Sequence, residues 1–157
     1  MSRVAVRRGY SSLAQSASSS GSWQRIDPHN CLLHRYEEDQ GASAAVDESQ
    51  PLADWPITIK DNFCTKDSPT TCASKMLQGY QPSFDGTAVR ALRQAGARFV
   101  GKTNLDEFAM GSANVHTHFG PVINPAGPAS DDENVARAAG GSSGGAAASV
   151  RAGLCRV

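Results

Sequence analysis

The sequence has no excess of either charge, because its 157 residues carry 15 Lys and Arg against 15 Asp and Glu. This balance argues against a general electrostatic grip on nucleic acid, which needs a basic face. The sequence also lacks any run of roughly 18 apolar residues, the length that a membrane span requires. These two absences argue against the nucleic-acid-binding class and exclude a helical membrane span, so no membrane partner is expected.

Bulky apolar residues are scarce as well. Val, Leu, Ile and Phe together make up about 17% of the chain, below the roughly 20% at which disorder becomes a concern. Ala and Gly supply much of the remaining hydrophobic content, and they bury little area per residue. The length allows one domain. We therefore expect part of a larger domain rather than a chain with a well-filled core of its own.

Cysteine occurs four times and never as a Cys-x-x-Cys pair. This spacing does not fit a disulfide-dense framework and favours reduced thiols inside a cell. A zinc site could be assembled from Cys31 and His34 together with His116 and His118, but their spacing follows no established zinc pattern. Ordinary loop residues are the better interpretation, and no metal site is predicted.

Residues 1–26 contain four arginines and eight serines but no acidic residue. Such a composition is typical of a mitochondrial presequence. Arg8 also lies at the correct distance for matrix processing between Tyr10 and Ser11. We predict a disordered presequence over 1–26 and a location in the mitochondrial matrix. The alternative is a disordered tail without a targeting function.

The charge reverses in the next segment, where six acidic residues face Arg35 alone between positions 31 and 54. Apart from the short apolar patch at Cys31–Leu33, this composition is typical of a solvated connector. We therefore predict an acidic connector over 27–54 and a structured domain over 55–157.

The sequence pattern of the first part of that domain predicts a crossover unit. A β-branched run over 56–59 predicts a strand that delivers Lys60 at its carboxyl end. Asp85 can cap a helix over 86–95, and a second strand follows over 98–101. A strand, a helix and a strand of these lengths predict an α/β fold with a parallel or mixed sheet.

Further elements follow the second strand. Asn104 and Glu107 have the spacing of a capping box, which predicts a short helix. The segment 119–134 is rich in Pro, Gly, Asn and Asp and predicts a loop, whereas 146–152 predicts a helix. Residues 153–157 allow the beginning of another strand.

Residues 140–145 read Gly-Gly-Ser-Ser-Gly-Gly, and their glycines allow the main chain to approach a ligand closely. The segment lacks the Gly-Lys-Ser/Thr ending of a phosphate-binding loop. It matches the Gly-x-Ser-x-Gly nucleophile elbow formally, but no hydrophobic strand precedes it and no His follows His118. A flexible linker stays open as the alternative without a function.

Lys60 is the second candidate for chemistry. A lysine at the end of a strand is most often a surface residue. Burial, however, would lower its pKa and let the neutral amine accept a proton. A lysine base and a serine relay can activate a nucleophile without histidine. Such a role would account for both Lys60 and the serines of 140–145.

Four stretches, in this order, resemble the amidase signature family: 57–62, 70–77, 101–112 and 140–145. The lysine and the glycine-serine block are family-wide. The stretches 70–77 and 106–112 resemble more closely the branch of the family that serves tRNA-dependent amidation. The resemblance extends from about Pro51 to the last residue.

The resemblance implies a mixed sheet sandwiched by helices, of which the N-terminal part is present. It also implies a Ser–cis-Ser–Lys triad with Lys60 as base and Ser142 as the bridging serine, after a cis peptide bond from Gly141. Ser143 and a turn would line the amide-binding site; the turn residues are Ala109, Met110, Gly111 and Ser112.

The family's nucleophilic serine belongs to a further Gly-Gly-Ser motif. Fifteen residues follow Ser142, and none of them forms such a motif. We therefore expect the nucleophile to lie beyond this chain, and we expect the isolated segment to be inactive.

For the complete protein, the resemblance implies a glutaminase subunit in a heterotrimer with partners of the B and the C or F type. Ammonia released from glutamine would convert Glu-tRNA(Gln) to Gln-tRNA(Gln) in mitochondrial translation. The partner subunit would use ATP and Mg²⁺, while this subunit would bind no cofactor. Two alternatives are another amidase-signature hydrolase that acts on free amides and a non-catalytic truncated scaffold.

Overall fold

The computed structural model describes residues 5–7, 26–37, 47–128 and 135–157. Within these ranges the chain forms two three-stranded sheets and two α-helices. The strands are β1 Ala5–Arg7, β2 Leu32–Arg35, β3 Pro56–Lys60, β4 Arg98–Thr103, β5 Ile123–Pro128 and β6 Val135–Ala138. The helices are α1 Thr87–Gln94 and α2 Gly144–Arg151, with short 3-10 turns at Lys75–Leu77 and Glu107–Ala109.

The sheet that carries the site has the strand order β2-β4-β3. β3 runs parallel to β4, and β2 runs antiparallel to it. A parallel pair needs a crossover connection, and α1 lies within the segment that joins β3 to β4. The predicted crossover unit and the mixed α/β class are therefore confirmed.

α1 packs on this sheet through one face. Val89 is buried and Leu92 packs against the same cluster, as the helical spacing predicted. The buried members of this cluster are Tyr36, Ile57, Ile59, Val89, Ala97 and Phe99.

The predicted cap of α1 is wrong. Gly86 is the N-cap, and no side chain caps the helix. Asp85 is occupied elsewhere, because its carboxylate accepts the Lys66 N–H at 2.9 Å and pairs with Arg93 at 3.1 Å.

The structure differs from the predicted connector over residues 31–36, which form part of the fold. β2 lies in this segment, and the side chains of Cys31, Leu32, Leu33 and Tyr36 are buried. The physical reason is that β2 pairs with β4, so that its apolar patch fills the core. Residues 38–46 of the connector lie outside the described residues.

The second sheet has the order β1-β6-β5, and β5 corrects the predicted loop over 119–134. Its prolines are compatible with a strand because β5 lies at the edge of the sheet. Of the predicted presequence 1–26, residues 5–7 form β1 and pair with β6, where the sequence predicted disorder. Apart from residue 26, the rest of it lies outside the described residues, as do 129–134.

Three further boundaries differ from expectation. The capping box does not form: Asp106 is the N-cap of the turn Glu107–Ala109, while Asn104 accepts from the Leu105 N–H instead. α2 begins two residues earlier than predicted, at Gly144. Residues 153–157 form no strand, although the Arg156 N–H donates to the carbonyl of Pro56 in β3 at 2.9 Å.

Within the described ranges, no helix combines the length and the apolar composition needed to cross a membrane.

Candidate active site

Lys60 and the glycine-serine loop meet at the carboxyl end of β3. The Lys60 Nζ donates to Ser142 Oγ at 2.8 Å and to Ser143 Oγ at 2.7 Å. Eighty-two residues separate Lys60 from Ser142 in the chain. The fold therefore brings together the two residues that the sequence predicted to exchange a proton.

The glycine-serine loop is held by backbone hydrogen bonds to the segment that follows β4. Asp106 N–H donates to the Ser142 carbonyl at 3.2 Å, and Gly145 N–H donates to the Asn104 carbonyl at 3.2 Å and to Asn114 Oδ1 at 3.1 Å. The Gly141–Ser142 peptide bond is cis, as the resemblance implied. The loop is thus a fixed part of the fold in this structure and not a flexible linker.

Two of the loop's glycines are required by close packing. A Cβ on Gly145 would overlap the backbone of Asn104 and of Cys31, and a Cβ on Gly141 would overlap the Asp106 carboxylate. Side chains at these positions would push the loop away from the segment after β4. The glycines therefore allow Ser142 to reach Lys60.

The position of Lys60 depends on its neighbour Asp61. Asp61 is buried, and its carboxylate forms an ion pair with Lys102 of β4 at 3.0 Å. The same carboxylate accepts the Thr71 N–H at 2.9 Å. A buried pair with these additional hydrogen bonds fixes the end of β3 against β4 and the loop before α1.

The electrostatic setting of Lys60 favours a neutral amine more than bulk water does. Burial lowers the pKa of Lys60, and the negative charge of Asp106 opposes this shift. The lowered pKa increases the fraction of Lys60 that can accept a proton at a given pH.

The predicted substrate-binding residues occupy different positions. Ser143 is exposed and bonded to Lys60. Met110 and Ser112 are exposed, whereas Ala109 is partly buried against the cluster of Leu33, Ala73 and Leu105. Gly111 packs against the Asp106 carboxylate. Their role in binding an amide remains a prediction.

Three buried polar residues that support the site escaped the sequence reasoning: Asn104, Asp106 and Asn114. The sequence predicts a helix cap at Asn104, but its side-chain amide donates to the carbonyls of Asn30 and Gly120, both at 3.1 Å. The available signal was the density of polar residues directly after a strand that ends beside Lys60.

The zinc alternative receives no support from the described residues. Among them, no three His, Cys, Asp or Glu side chains form a group that could hold a metal ion.

The family model described as Amidase matches residues 6–157 of this chain. The chain is 44% identical to the A subunit of the mitochondrial glutamyl-tRNA(Gln) amidotransferase of Mycosarcoma maydis, over 96% of this chain and 30% of that protein. It is 51% identical to the A subunit of the glutamyl-tRNA(Gln) amidotransferase of Prochlorococcus marinus strain NATL2A, over 78% of this chain and 24% of that protein.

The crystal structure of the A subunit of the Thermotoga maritima glutamyl-tRNA(Gln) amidotransferase superposes with a TM-score of 0.67 at 40% identity. This match covers 83% of this chain and 26% of that one. The chain thus spans between about a quarter and a third of the length of these relatives. With a family model that matches nearly its whole length, the chain belongs to the amidase family.

Proposed function

We propose that this chain supplies the proton-transfer part of an amide-hydrolysing centre, with Lys60 as the base and Ser142 as the relay. The observation that carries the proposal is the contact of Lys60 Nζ with Ser142 Oγ at 2.8 Å, in a loop fixed by backbone hydrogen bonds. A surface lysine and a flexible glycine-serine linker would not hold such a contact.

The two residues can move a proton in both directions. Neutral Lys60 takes the proton of the Ser142 hydroxyl, and Ser142 Oγ in turn takes the proton of an attacking hydroxyl placed beside it. That hydroxyl adds to the amide carbon, and the Lys60 ammonium returns the proton through Ser142 to the departing nitrogen. Ammonia leaves and an acyl ester remains, which water hydrolyses by the same route.

The attacking hydroxyl is proposed to belong to a serine beyond this chain, in the complete protein. Residues 109–112 and Ser143 are proposed to line the pocket that holds the amide. Exposure of Met110, Ser112 and Ser143 supports this role, because these side chains are accessible to a small molecule.

The proposed substrate is glutamine, and the proposed use of its ammonia is the conversion of Glu-tRNA(Gln) to Gln-tRNA(Gln) on partner subunits of the B and the C or F type. The names of the relatives support this assignment, since the bacterial and the mitochondrial relative are each the A subunit of a glutamyl-tRNA(Gln) amidotransferase. ATP and Mg²⁺ would act on a partner, and this chain is proposed to bind neither.

The test uses the full-length protein assembled with its partner subunits. Lys60→Ala and Ser142→Ala should each lower glutamine hydrolysis by about 10²-fold or more, the range of a lost acid–base group, while amidation driven by added ammonium chloride continues. Lys75→Ala is the matched control, because Lys75 is an exposed lysine in a different turn. If either site variant hydrolyses glutamine at the rate of the Lys75 variant, the assignment is wrong.

Residues 1–26 are proposed to direct the protein to the mitochondrial matrix. Their Arg-rich, acid-free composition and the mitochondrial name of one relative support this location. A fluorescent reporter fused to 1–26 should enter mitochondria and be cut after Tyr10, and Arg8→Ala should impair the cut. Diffuse fluorescence of the unchanged fusion would refute the address.

A further inference from the structure

Asp106 is a fully buried carboxylate that no step of the proposed reaction uses. Its two oxygens accept three consecutive backbone N–H groups, from Asn114 at 2.9 Å, Val115 at 3.1 Å and His116 at 3.2 Å. These bonds hold the turn 111–116 in place through residues 114–116. A carboxylate that accepts several backbone N–H groups is well satisfied and rigid.

The same residue contacts the glycine-serine loop through its backbone and its side chain. Asp106 N–H donates to the Ser142 carbonyl at 3.2 Å. Its carboxylate also packs so closely on Gly141 and on Gly111 that a Cβ on either glycine would overlap it. Asp106 therefore joins three segments at the site: the segment after β4, the turn 111–116 and the loop of Ser142.

Asp106 also acts on Lys60 through its charge. It is the charged group whose field opposes the effect of burial on the Lys60 pKa. Of the other groups near Lys60, Ser142 and Ser143 carry no charge, and Asp61 on the same strand is paired with Lys102. Burial has the larger effect on the Lys60 pKa, and Asp106 is the charged group that opposes it.

We propose that Asp106 is a positioning residue of the amide-hydrolysing site, which holds Ser142 within reach of Lys60 and places a negative charge against the loop that carries Ser142. The proposal rests on the function proposed above, since it names a residue that acts through Lys60 and Ser142. It assigns no contact between Asp106 and the substrate.

The test compares Asp106→Asn with Asp85→Asn in the full-length protein assembled with its partners. A side-chain amide accepts hydrogen bonds at one of its two ends only, so the Asp106→Asn variant loses at least one of the three bonds to the turn. Asp85 is a suitable control because its carboxylate also accepts a backbone N–H, but its partners are Lys66 and Arg93.

We expect Asp106→Asn to lower kcat for glutamine hydrolysis by about 10²-fold, the cost of a small misplacement of reacting groups, with a smaller change in KM. The acid limb of the pH–rate profile should move to lower pH, because the loss of the negative charge lowers the pKa of Lys60 further. A purely structural defect would lower the rate without moving this limb.

Asp106→Glu separates geometry from charge. Gly141 and Gly111 leave no room for an extra methylene, so this variant should also lose kcat, but its acid limb should stay at the wild-type pH. If the Asp106→Asn variant does not fold, Asp106→Glu alone decides. A wild-type kcat in either folded variant, or an acid limb that Asp106→Asn leaves unmoved, overturns the proposal.

Amide hydrogen exchange gives a readout that does not depend on activity. Exchange in the segments 111–117 and 140–146 should be faster in Asp106→Asn than in Asp85→Asn, with equal exchange in α1. If the wild-type protein hydrolyses no amide, the proposed function fails, and the exchange result still decides whether Asp106 holds the loop. Unchanged exchange in both segments refutes the positioning role.

Discussion

Replacing Lys102 by Met should strongly destabilise the protein, because it would leave the charge of Asp61 buried without its partner. The Lys102 and Asp61 side chains are 0% and 2% exposed, and their ion pair spans 3.0 Å. The Lys102 ammonium also donates to three oxygens, each at 3.0 Å, from Thr65, Pro69 and Thr70.

The magnitude follows from this burial. Removing one partner of a buried ion pair costs about 3–5 kcal/mol. Asp61 keeps two hydrogen bonds from Thr71, so the lower half of that range is expected. The exposed pair of Arg98 and Asp54, with side chains 33% and 55% exposed, is the matched control, and Arg98→Met should cost less than about 1 kcal/mol.

The assay is equilibrium unfolding in guanidinium chloride, which compares the free energies of unfolding of Lys102→Met, Arg98→Met and the wild type. Lys102→Met combined with Asp61→Asn should cost less than the sum of the two single changes, with a coupling of about 1–3 kcal/mol, because the uncompensated charge is gone. A Lys102→Met cost equal to that of Arg98→Met would refute the reasoning.

Three further predictions concern packing, titration and buried amides. Gly145→Ala should lower the free energy of unfolding by about 1–3 kcal/mol, the usual cost of overpacking, because the added Cβ would overlap backbone atoms. Gly86→Ala is the control and should be near neutral, because its Cβ would make only ordinary contacts. Equal melting temperatures of the two variants would contradict this prediction. Burial raises the pKa of Tyr36 to about 12, so stability that is fully present below pH 10 should be lost as the pH rises through 12. Tyr36→Phe should remove the corresponding late rise in tyrosinate absorbance, and a titration curve that keeps this rise would assign it elsewhere. Asn104→Ala should cost about 3 kcal/mol, because the Asn30 carbonyl, the Leu105 N–H and the Thr117 hydroxyl each lose their hydrogen bond to its side chain. Asn124→Ala should cost less than about 1 kcal/mol, since Asn124 is only half-buried, and similar melting temperatures of the two Asn variants would contradict the assigned contacts.

The elements that local sequence determines were predicted well. The β-branched run before Lys60 and the helical spacing of Val89 and Leu92 led to β3 and α1, because alternation and periodicity are properties of adjacent residues. The family resemblance likewise depends on short stretches of sequence, and the Amidase match over residues 6–157 bears it out.

Two strands whose formation depends on pairing with another strand were missed. The sequence of Cys31–Leu33 favours a connector. In the structure, β2 pairs with β4, and the side chains of this patch are buried in the core. β5 contains prolines that favour a loop, but pairing with β6 makes it an edge strand. β4 lies too far along the chain from the patch to leave a local signal, whereas β6 follows β5 closely, and the Pro, Gly and Asn content of β5 concealed that strand.

The residue types at the site were determined by the sequence alone: a lysine at the end of a strand, and two serines among glycines. What only the tertiary structure decided is their meeting, at 2.8 Å across 82 residues, and the buried carboxylates of Asp61 and Asp106 that hold each side of the contact. The physical reason is that a buried charge is stable only with ion-pair or hydrogen-bond partners, which come into contact only when the chain has folded. The sequence indicates which residues could take part in the site, but only the packing of the folded chain decides which of them are in contact.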